Sequence, residues 1–291
     1  MGPDLTKKPV LTISAWQCLF DEALTFDTSV RTLRLSCVIR EAKVQGQQIS
    51  YDVAANAYDK AAAVFEQRYL AARPITNDER MQILLAALSL PDDASSVRRL
   101  RRSLEETHSA IGMEVLPGAL DFLSEFADQF RLVLLSDTWM TPGWAIDQFL
   151  DKAGLCCFFD RRIYSDAIGH HKVDGSAFLH VAKTLSVPLF SMIHVGDLWQ
   201  SDVLGAVEAG VRRIFYLDSP MHPVPDNRSR KGVQPGQVVV GNSLVEIAGL
   251  LRKHVKSPEQ VGAHAAHQGQ DRERQLSDPL GRQDLRPRID A

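Results

Sequence analysis

Residues 193–210 read Ile-His-Val-Gly-Asp-Leu-Trp-Gln-Ser-Asp-Val-Leu-Gly-Ala-Val-Glu-Ala-Gly, the stretch of this chain that most restricts its fold. The run holds the end of an apolar strand, two acids five positions apart (Asp197 and Asp202), and a helix with small residues on one face. Acidic groups at the carboxyl end of a buried strand stand where open α/β sheets hold their ligands. The run therefore predicts a parallel sheet with a site at its strand ends.

The flanking sequence supports that prediction. Val10–Phe20 reads as a first buried strand and its exit loop. From there to about Gly112 the pattern is helical. Tyr51–Ala72, Asp78–Leu90 and Ser95–Ile111 carry apolar residues at helical spacing, with Asn77 and Ser95 as N-caps and Pro74 and Pro91 as punctuation. After Gly112, apolar strands at Phe130–Ser136, Arg162–Ser165, Met192–Val195 and Arg213–Leu217 alternate with helices at Leu116–Gln129, Thr141–Ala153, Gly175–Leu185 and Asp202–Gly210. A last helix covers Ser243–His254. Such alternation implies a parallel sheet wrapped on both faces. The expected organisation is an α/β core over residues 1–21 and 113–255 and an all-helical insert over 22–112. Pro220–Gly236 reads as a long surface loop. Residues 256–291 form a tail too poor in large apolar groups to offset its ordering entropy, and disorder is expected there.

Composition excludes several classes of function. A formal net charge of −3, with 45% hydrophobic and 24% charged residues, describes an ordinary globular protein and gives no reason to expect nucleic acid as a partner. The one basic run, Arg98-Arg99-Leu100-Arg101-Arg102, is followed by Glu105 and Glu106 and reads as a solvated helix face. No apolar run approaches the roughly 18 residues that span a bilayer, so no membrane partner is expected. The four cysteines show no Cys-x-x-Cys spacing, which fits free thiols in a reducing compartment, with the Cys156-Cys157 pair packed in an apolar stretch. The opening Met-Gly-Pro-Asp formally fits a myristoylation pattern, but Pro3 and Asp4 are poor context. A cytoplasmic location is the expectation.

Four features, in chain order, together resemble the haloacid dehalogenase (HAD) superfamily. They are Ser14–Phe20, Phe130–Thr138, Lys172 within His-His-Lys-Val-Asp-Gly-Ser-Ala-Phe, and Gly196-Asp197 followed by Asp202 and Gly205-Ala206. The similarity runs from about Val10 to Leu251, with the helical block in the position of that superfamily's type-1 cap. It implies a HAD-like three-layer α/β sandwich with a Rossmann-like parallel sheet and an inserted helical cap. It also implies a chemistry. In the superfamily's phosphatases an Asp at the end of the first strand attacks phosphorus, and a second acid two residues on protonates the leaving group. Mg²⁺ offsets the accumulating charge. Placed residue by residue, Ser136 falls at the position that holds a phosphoryl oxygen, with Asp137 beside it. Lys172 falls at the position of the charge-neutralising lysine, and Asp197 at that of the metal-binding acid. Ser136-Asp137-Thr138 reads equally well as a cap on the following helix. Asp202 reads as a metal ligand, as the orienter of a metal-bound water, or as a helix cap.

The first motif departs from the family. The pattern there is Asp-x-Asp-x-Thr/Val, or Asp-x-Tyr-Gly-Thr-Leu-Phe in the dehalogenase branch. This chain reads Ser14-Ala15-Trp16-Gln17-Cys18-Leu19-Phe20-Asp21. Ser14 takes the nucleophile's place, Trp16 that of the acid or aromatic, and Cys18 that of the Thr. A carboxylate of pKa about 3.9 is ionised at neutral pH, whereas a serine hydroxyl needs a general base. Only His170, His171 and His194 could approach in space, and His194, between Ile193 and Val195, reads as a hydrogen-bonded interior residue. Losing the Asp also removes an anionic Mg²⁺ ligand, leaving weakened binding through Asp197 and Asp202. Trp139, Trp144 and Trp199 line the pocket mouth or pack the insert on the core.

These residues lead to an expected pseudoenzyme that binds a small, phosphorylated molecule through Ser136, Lys172 and Asp197. The alternative is an active phosphatase or dehalogenase-like hydrolase with an unconventional nucleophile. A third class, an interaction module with a protein partner on the insert or the tail, stays open.

Overall fold

The computed structural model describes residues 8–22, 30–110, 113–219, 222–224 and 232–256. The tail, the N-terminal Met-Gly-Pro-Asp and most of the 220–236 loop lie outside the described residues. The chain divides into two compact units, residues 1–248 and 249–291, and the site lies in the first.

That unit is built on a six-stranded sheet, all parallel and flanked by helices, in the order β5-β4-β1-β6-β7-β8. The strands are β1 (Val10–Ile13), β4 (Arg131–Ser136), β5 (Arg161–Tyr164), β6 (Met192–Gly196), β7 (Arg213–Leu217) and β8 (Val238–Gly241). Every residue of β1 and β6 is buried, as expected of central parallel strands covered on both faces. β1 pairs with β4 through Ile13↔Leu134 and with β6 through Ile13↔Val195, so Ser14, Ser136 and Gly196 finish at one edge. Val10, Val133, Phe178, Ile214, Tyr216 and Trp199 share the main core.

Three strands were not anticipated. β8 is a short edge strand beside the long loop. β2 (Phe20–Glu22) and β3 (Met113–Val115) form a separate antiparallel ribbon, with Phe20 opposite Val115 and Glu22 opposite Met113. Three residues give too short a run to show periodicity, and the partner lies some ninety positions away. The ribbon ties the chain's entry into the helical insert to its exit.

The insert comprises α1 (Val30–Val44), α2 (Tyr51–Leu70), α3 (Asn77–Ala87) and α4 (Ala94–Glu105), closed by a 3-10 turn over Glu106–Ala110. Its core of Leu35, Val38, Ala61, Met81, Leu84, Leu100 and Leu104 admits Met140 from the segment after β4. The N-caps are Thr76 and Asp93, not Asn77 and Ser95. Thr76 and Glu79 form a reciprocal capping box, and the Asp93 carboxylate accepts from the backbone of Ser95 and Ser96. A cap must precede the first helical residue, and both expected caps lie inside the helix.

The remaining helices are α5 (Ala119–Phe126), α6 (Gly143–Lys152), α7 (Ser165–Ile168), α8 (Ser176–Leu185), α9 (Ala206–Ala209) and α10 (Leu244–Lys256). The helix expected over Asp202–Gly210 instead starts at Trp199 as a wide π turn to Gly205 and tightens into α9. Two glycines permit the packing around it. A Cβ on Gly196 would overlap the Asp202 carboxyl, and one on Gly205 would overlap the Lys172 carbonyl. All four cysteines are free; Cys18 and Cys37 are buried, but Cys157 is exposed. The packing expected of the vicinal pair fails there because a tight turn at Cys156–Phe158 faces Cys157 outward. Among the described residues no helix is long and apolar enough to cross a membrane.

Candidate functional site

The backbone N–H of Ser14 donates to Val195 O at 2.9 Å, which carries the sheet one residue past β1. Its buried Oγ accepts from Lys172 Nζ at 2.9 Å. Lys172 stands in the loop before α8, and its Nζ also donates to Asp202 Oδ1 at 2.6 Å. Thus the structure joins Ser14, Lys172 and Asp202, three of the residues singled out in the sequence.

Asp202 is saturated. Its Oδ1 faces Lys172 Nζ and His194 Nε2 (3.0 Å), and its Oδ2 accepts from the backbone of Asp197 (3.1 Å) and Leu198 (2.9 Å). Four donors fill the roughly four lone-pair sites of a carboxylate. Burial alone would raise its pKa, but the Lys172 charge and the His194 hydrogen bond hold it below the ordinary carboxylate range. Conversely, burial would lower the Lys172 pKa, and Asp202 and Asp137 lift it above its usual value instead. The pair is a locked ammonium–carboxylate contact. Asp202 ties β6 to the π turn and to Lys172.

His194 is the interior residue expected, fully buried, with Nδ1 2.8 Å from Thr12 Oγ1. Burial lowers its pKa, so the ring is neutral with its one proton on Nε2, toward Asp202.

Asp197 lies at the end of β6, 4% exposed. Cys18 Sγ donates to its Oδ1 at 3.7 Å, and His222 Nδ1 lies 2.6 Å from its Oδ2. Burial raises the Asp197 pKa, although the His222 hydrogen bond opposes the shift. Burial and Asp197 also raise the Cys18 pKa, leaving an inert thiol. No sequence signal marked His222. The Tyr216 hydroxyl donates to its carbonyl at 2.8 Å and holds the returning loop over the site.

Asp137 works as a clamp between insert and core. Both its oxygens accept from the Lys172 backbone N–H (3.1 and 3.2 Å), and Tyr69 Oη of α2 donates to Oδ2. Ser136 Oγ donates to the Asp137 carbonyl at 3.4 Å. The Ser136–Thr138 segment does not cap the next helix, since α6 starts at Gly143 with Pro142 at its N-cap and no side-chain cap. Thr138 Oγ1 accepts instead from Asp166 N, in the first turn of α7.

Trp16 packs edge-to-face on Phe20 (4.9 Å) with His108 6.3 Å away, at the insert's last turn. Gln17 sits at φ +57°, the left-handed region, where the dehalogenase-branch pattern carries glycine. Trp139 packs on Phe65 and Tyr69, Trp199 is buried against Tyr216, and Trp144 is exposed. His170 lies 5.6 Å from His180, and His171 Nδ1 is buried 3.9 Å from Asp137 Oδ1.

The ligand set is a poor one for Mg²⁺. Position 14 offers a neutral hydroxyl already bonded to an ammonium, and Asp202 has no lone pair to spare. Asp197 faces an imidazole and a thiol. Among the described residues no three His, Cys, Asp or Glu side chains are grouped to hold a metal.

Residues 29–210, well over half of the chain, match the model of the haloacid dehalogenase-like hydrolase family, a segment that begins beyond Ser14. A curated relative, pyrimidine 5'-nucleotidase YjjG of Escherichia coli (strain K12), is 28% identical over 141 residues, 48% of this chain. The chain spans only 57% of that relative's length. Among solved structures, the magnesium-bound HAD-hydrolase YfnB from Bacillus subtilis superposes with a TM-score of 0.56 at 19% identity, covering 84% of this chain and 99% of that one. The 2-haloacid dehalogenase from Pseudomonas syringae pv. Tomato DC3000 superposes with a TM-score of 0.55 at 15% identity, with the same coverages. Both likenesses are of fold.

Proposed function

Because the chain belongs to the haloacid dehalogenase-like hydrolase family, we propose that it uses the fold to bind a small phosphorylated molecule and has lost the aspartyl-phosphate reaction. The helical insert then serves as a cap over the strand-end pocket. One observation carries this reading. The side chain at the nucleophile's position is a hydroxyl whose Oγ accepts from Lys172 Nζ, a donor held charged by Asp202. A charged ammonium cannot take the serine proton, and His194 spends both nitrogens on Thr12 and Asp202. Trp16 has no acidic proton for a leaving group. Mg²⁺ binding is weakened in step, because Ser14 is neutral and Asp202 is fully bonded. The reading keeps the protein in the cytoplasm and takes neither nucleic acid nor a membrane as partner.

The contact of 2.9 Å between Ser14 and Lys172 favours a second reading, a hydrolase with a serine nucleophile and lysine base. It requires neutral Lys172, and the raised pKa opposes that.

The test is turnover of phosphomonoesters and 2-haloacids by the purified protein with Mg²⁺. Pyrimidine nucleoside monophosphates belong in the panel, since the curated relative is a pyrimidine 5'-nucleotidase. The wild type is expected to be silent and Ser14→Asp to gain activity. Wild-type turnover that disappears in Asp197→Asn overturns the proposal.

A further inference from the structure

Two arginines of the insert, Arg34 on α1 and Arg80 on α3, lie within electrostatic reach of each other and of Tyr58. Arg34 Nη1 donates to Tyr58 Oη at 3.2 Å, and Nη2 donates to His108 Nε2. Arg80 is 6% exposed, with its guanidinium 4.3 Å from the centroid of the Phe65 ring. Arg99, Arg101 and Arg102 on the outer face each have a carboxylate partner. Among the described residues Arg34 and Arg80 have none, and Arg34 Nε and Arg80 Nη1 are buried without an acceptor. Burial, and beyond it the like charge of Arg34, pulls the Arg80 pKa down to about 10, which leaves it charged at neutral pH. Burial and Arg34 also push His108 down to about 3, so this neighbour accepts a hydrogen bond and adds no charge.

Buried charged donors without acceptors are costly, and a ligand anion would remove that cost. The pair also adjoins the strand-end residues through His108. His108 Nε2 lies 2.6 Å from Thr141 Oγ1, just past β4, and its ring is the neighbour of Trp16. Phe65, under Arg80, packs on Trp139 at 5.0 Å and on Tyr69, whose hydroxyl reaches Asp137. The pocket floor sets Asp137, Asp197 and Asp202 against Lys172, so an anion is better held from the insert side.

We propose that Arg34 and Arg80 form an oxyanion-binding pair that takes the phosphoryl group of a small ligand, with Phe65, Tyr69 and Trp139 as the aromatic wall beside it. A phosphoryl dianion matches two guanidinium charges and has oxygens enough for two forks of donors. The inference rests on the pocket being a ligand site, and not on the loss of catalysis.

Titration calorimetry and thermal unfolding of the full chain with inorganic phosphate, and with malonate at equal ionic strength, test it. Phosphate is expected to bind and to raise the wild-type Tm. Arg80→Met and Arg34→Gln each weaken binding by about tenfold or more, and Arg99→Gln changes it by less than about twofold. Ligand-free Arg80→Met melts no lower than wild type, because an apolar chain replaces an unpaired buried charge. Arg34→Gln keeps a polar side chain beside Tyr58 and carries the test if Arg80→Met does not fold. A lower Tm for Arg80→Met with unchanged phosphate affinity marks Arg80 as structural and overturns the proposal. So does a wild type that binds no phosphate, or binds malonate alone. Failure of the pseudoenzyme reading shows in the turnover assay and leaves these binding results unaffected.

Discussion

Asp202 and Lys172 are a buried ion pair, each compensating the other's charge. Asp202→Asn keeps the shape and strands the lysine charge; breaking a buried pair this way costs about 3–5 kcal/mol. Urea unfolding should show that loss, whereas Ser14→Ala, which removes one hydrogen bond to the ammonium, should cost about 1.5–3 kcal/mol. Acid titration follows from the same pair. A carboxylate with a folded pKa below its unfolded one stabilises the fold above the unfolded value, about 3.9, and loses that contribution as pH falls toward the folded one. His222 behaves oppositely. Its hydrogen bond to Asp197 raises its folded pKa, so its contribution is complete below the unfolded value of about 6.5 and fades as pH rises through the folded one. A pH series of melting temperatures in which His222→Gln removes the loss on the alkaline side checks the sign. Gln17 offers a backbone test at the same scale. At φ +57°, Gln17→Val should cost about 1–2 kcal/mol and Gln17→Gly little or nothing.

Among the elements, the helix caps and the π turn separate what local sequence controls from what packing controls. Thr76→Ala and Asp93→Ala should each lower stability by about 1 kcal/mol, and Asn77→Ala by less, since only the first two side chains cap their helices. Chemical denaturation of the three variants decides the assignment. The π turn answers to tertiary contacts. Gly205 lies against the Lys172 carbonyl, so Gly205→Ala should displace the lysine loop and cost about 1–3 kcal/mol. β1, β4, β6 and β7 were legible because each is a contiguous apolar run, buried along most of its length, and β5 because Ile163 and Tyr164 follow at the regular spacing of the alternating pattern. β2 and β3 were not, since strands of three residues take their identity from a partner far along the chain, and β8 was not, since its short valine run is only partly buried at the sheet edge.

Across the whole molecule, the insert and the sheet meet at named contacts, chiefly Tyr69 to Asp137 and His108 to Thr141. Tyr69→Phe should speed hydrogen exchange in α2 and leave the sheet protected, because the insert and the sheet are packed around different apolar clusters. These contacts also divide what could be read in advance from what could not. By itself the sequence determined the α/β architecture and the hydroxyl at position 14, since strand runs and residue identity at a strand end are local facts. The resemblance to the HAD family singled out Ser136, Lys172, Asp197 and Asp202 as candidates for the same site. Tertiary structure alone decided which lone pairs are already spent and which charges are compensated. Asp202 carries four donors, Asp197 faces His222, and among the described residues Arg34 and Arg80 lack an acid. Those properties come from burial and from neighbours distant in the chain, and no local pattern encodes them.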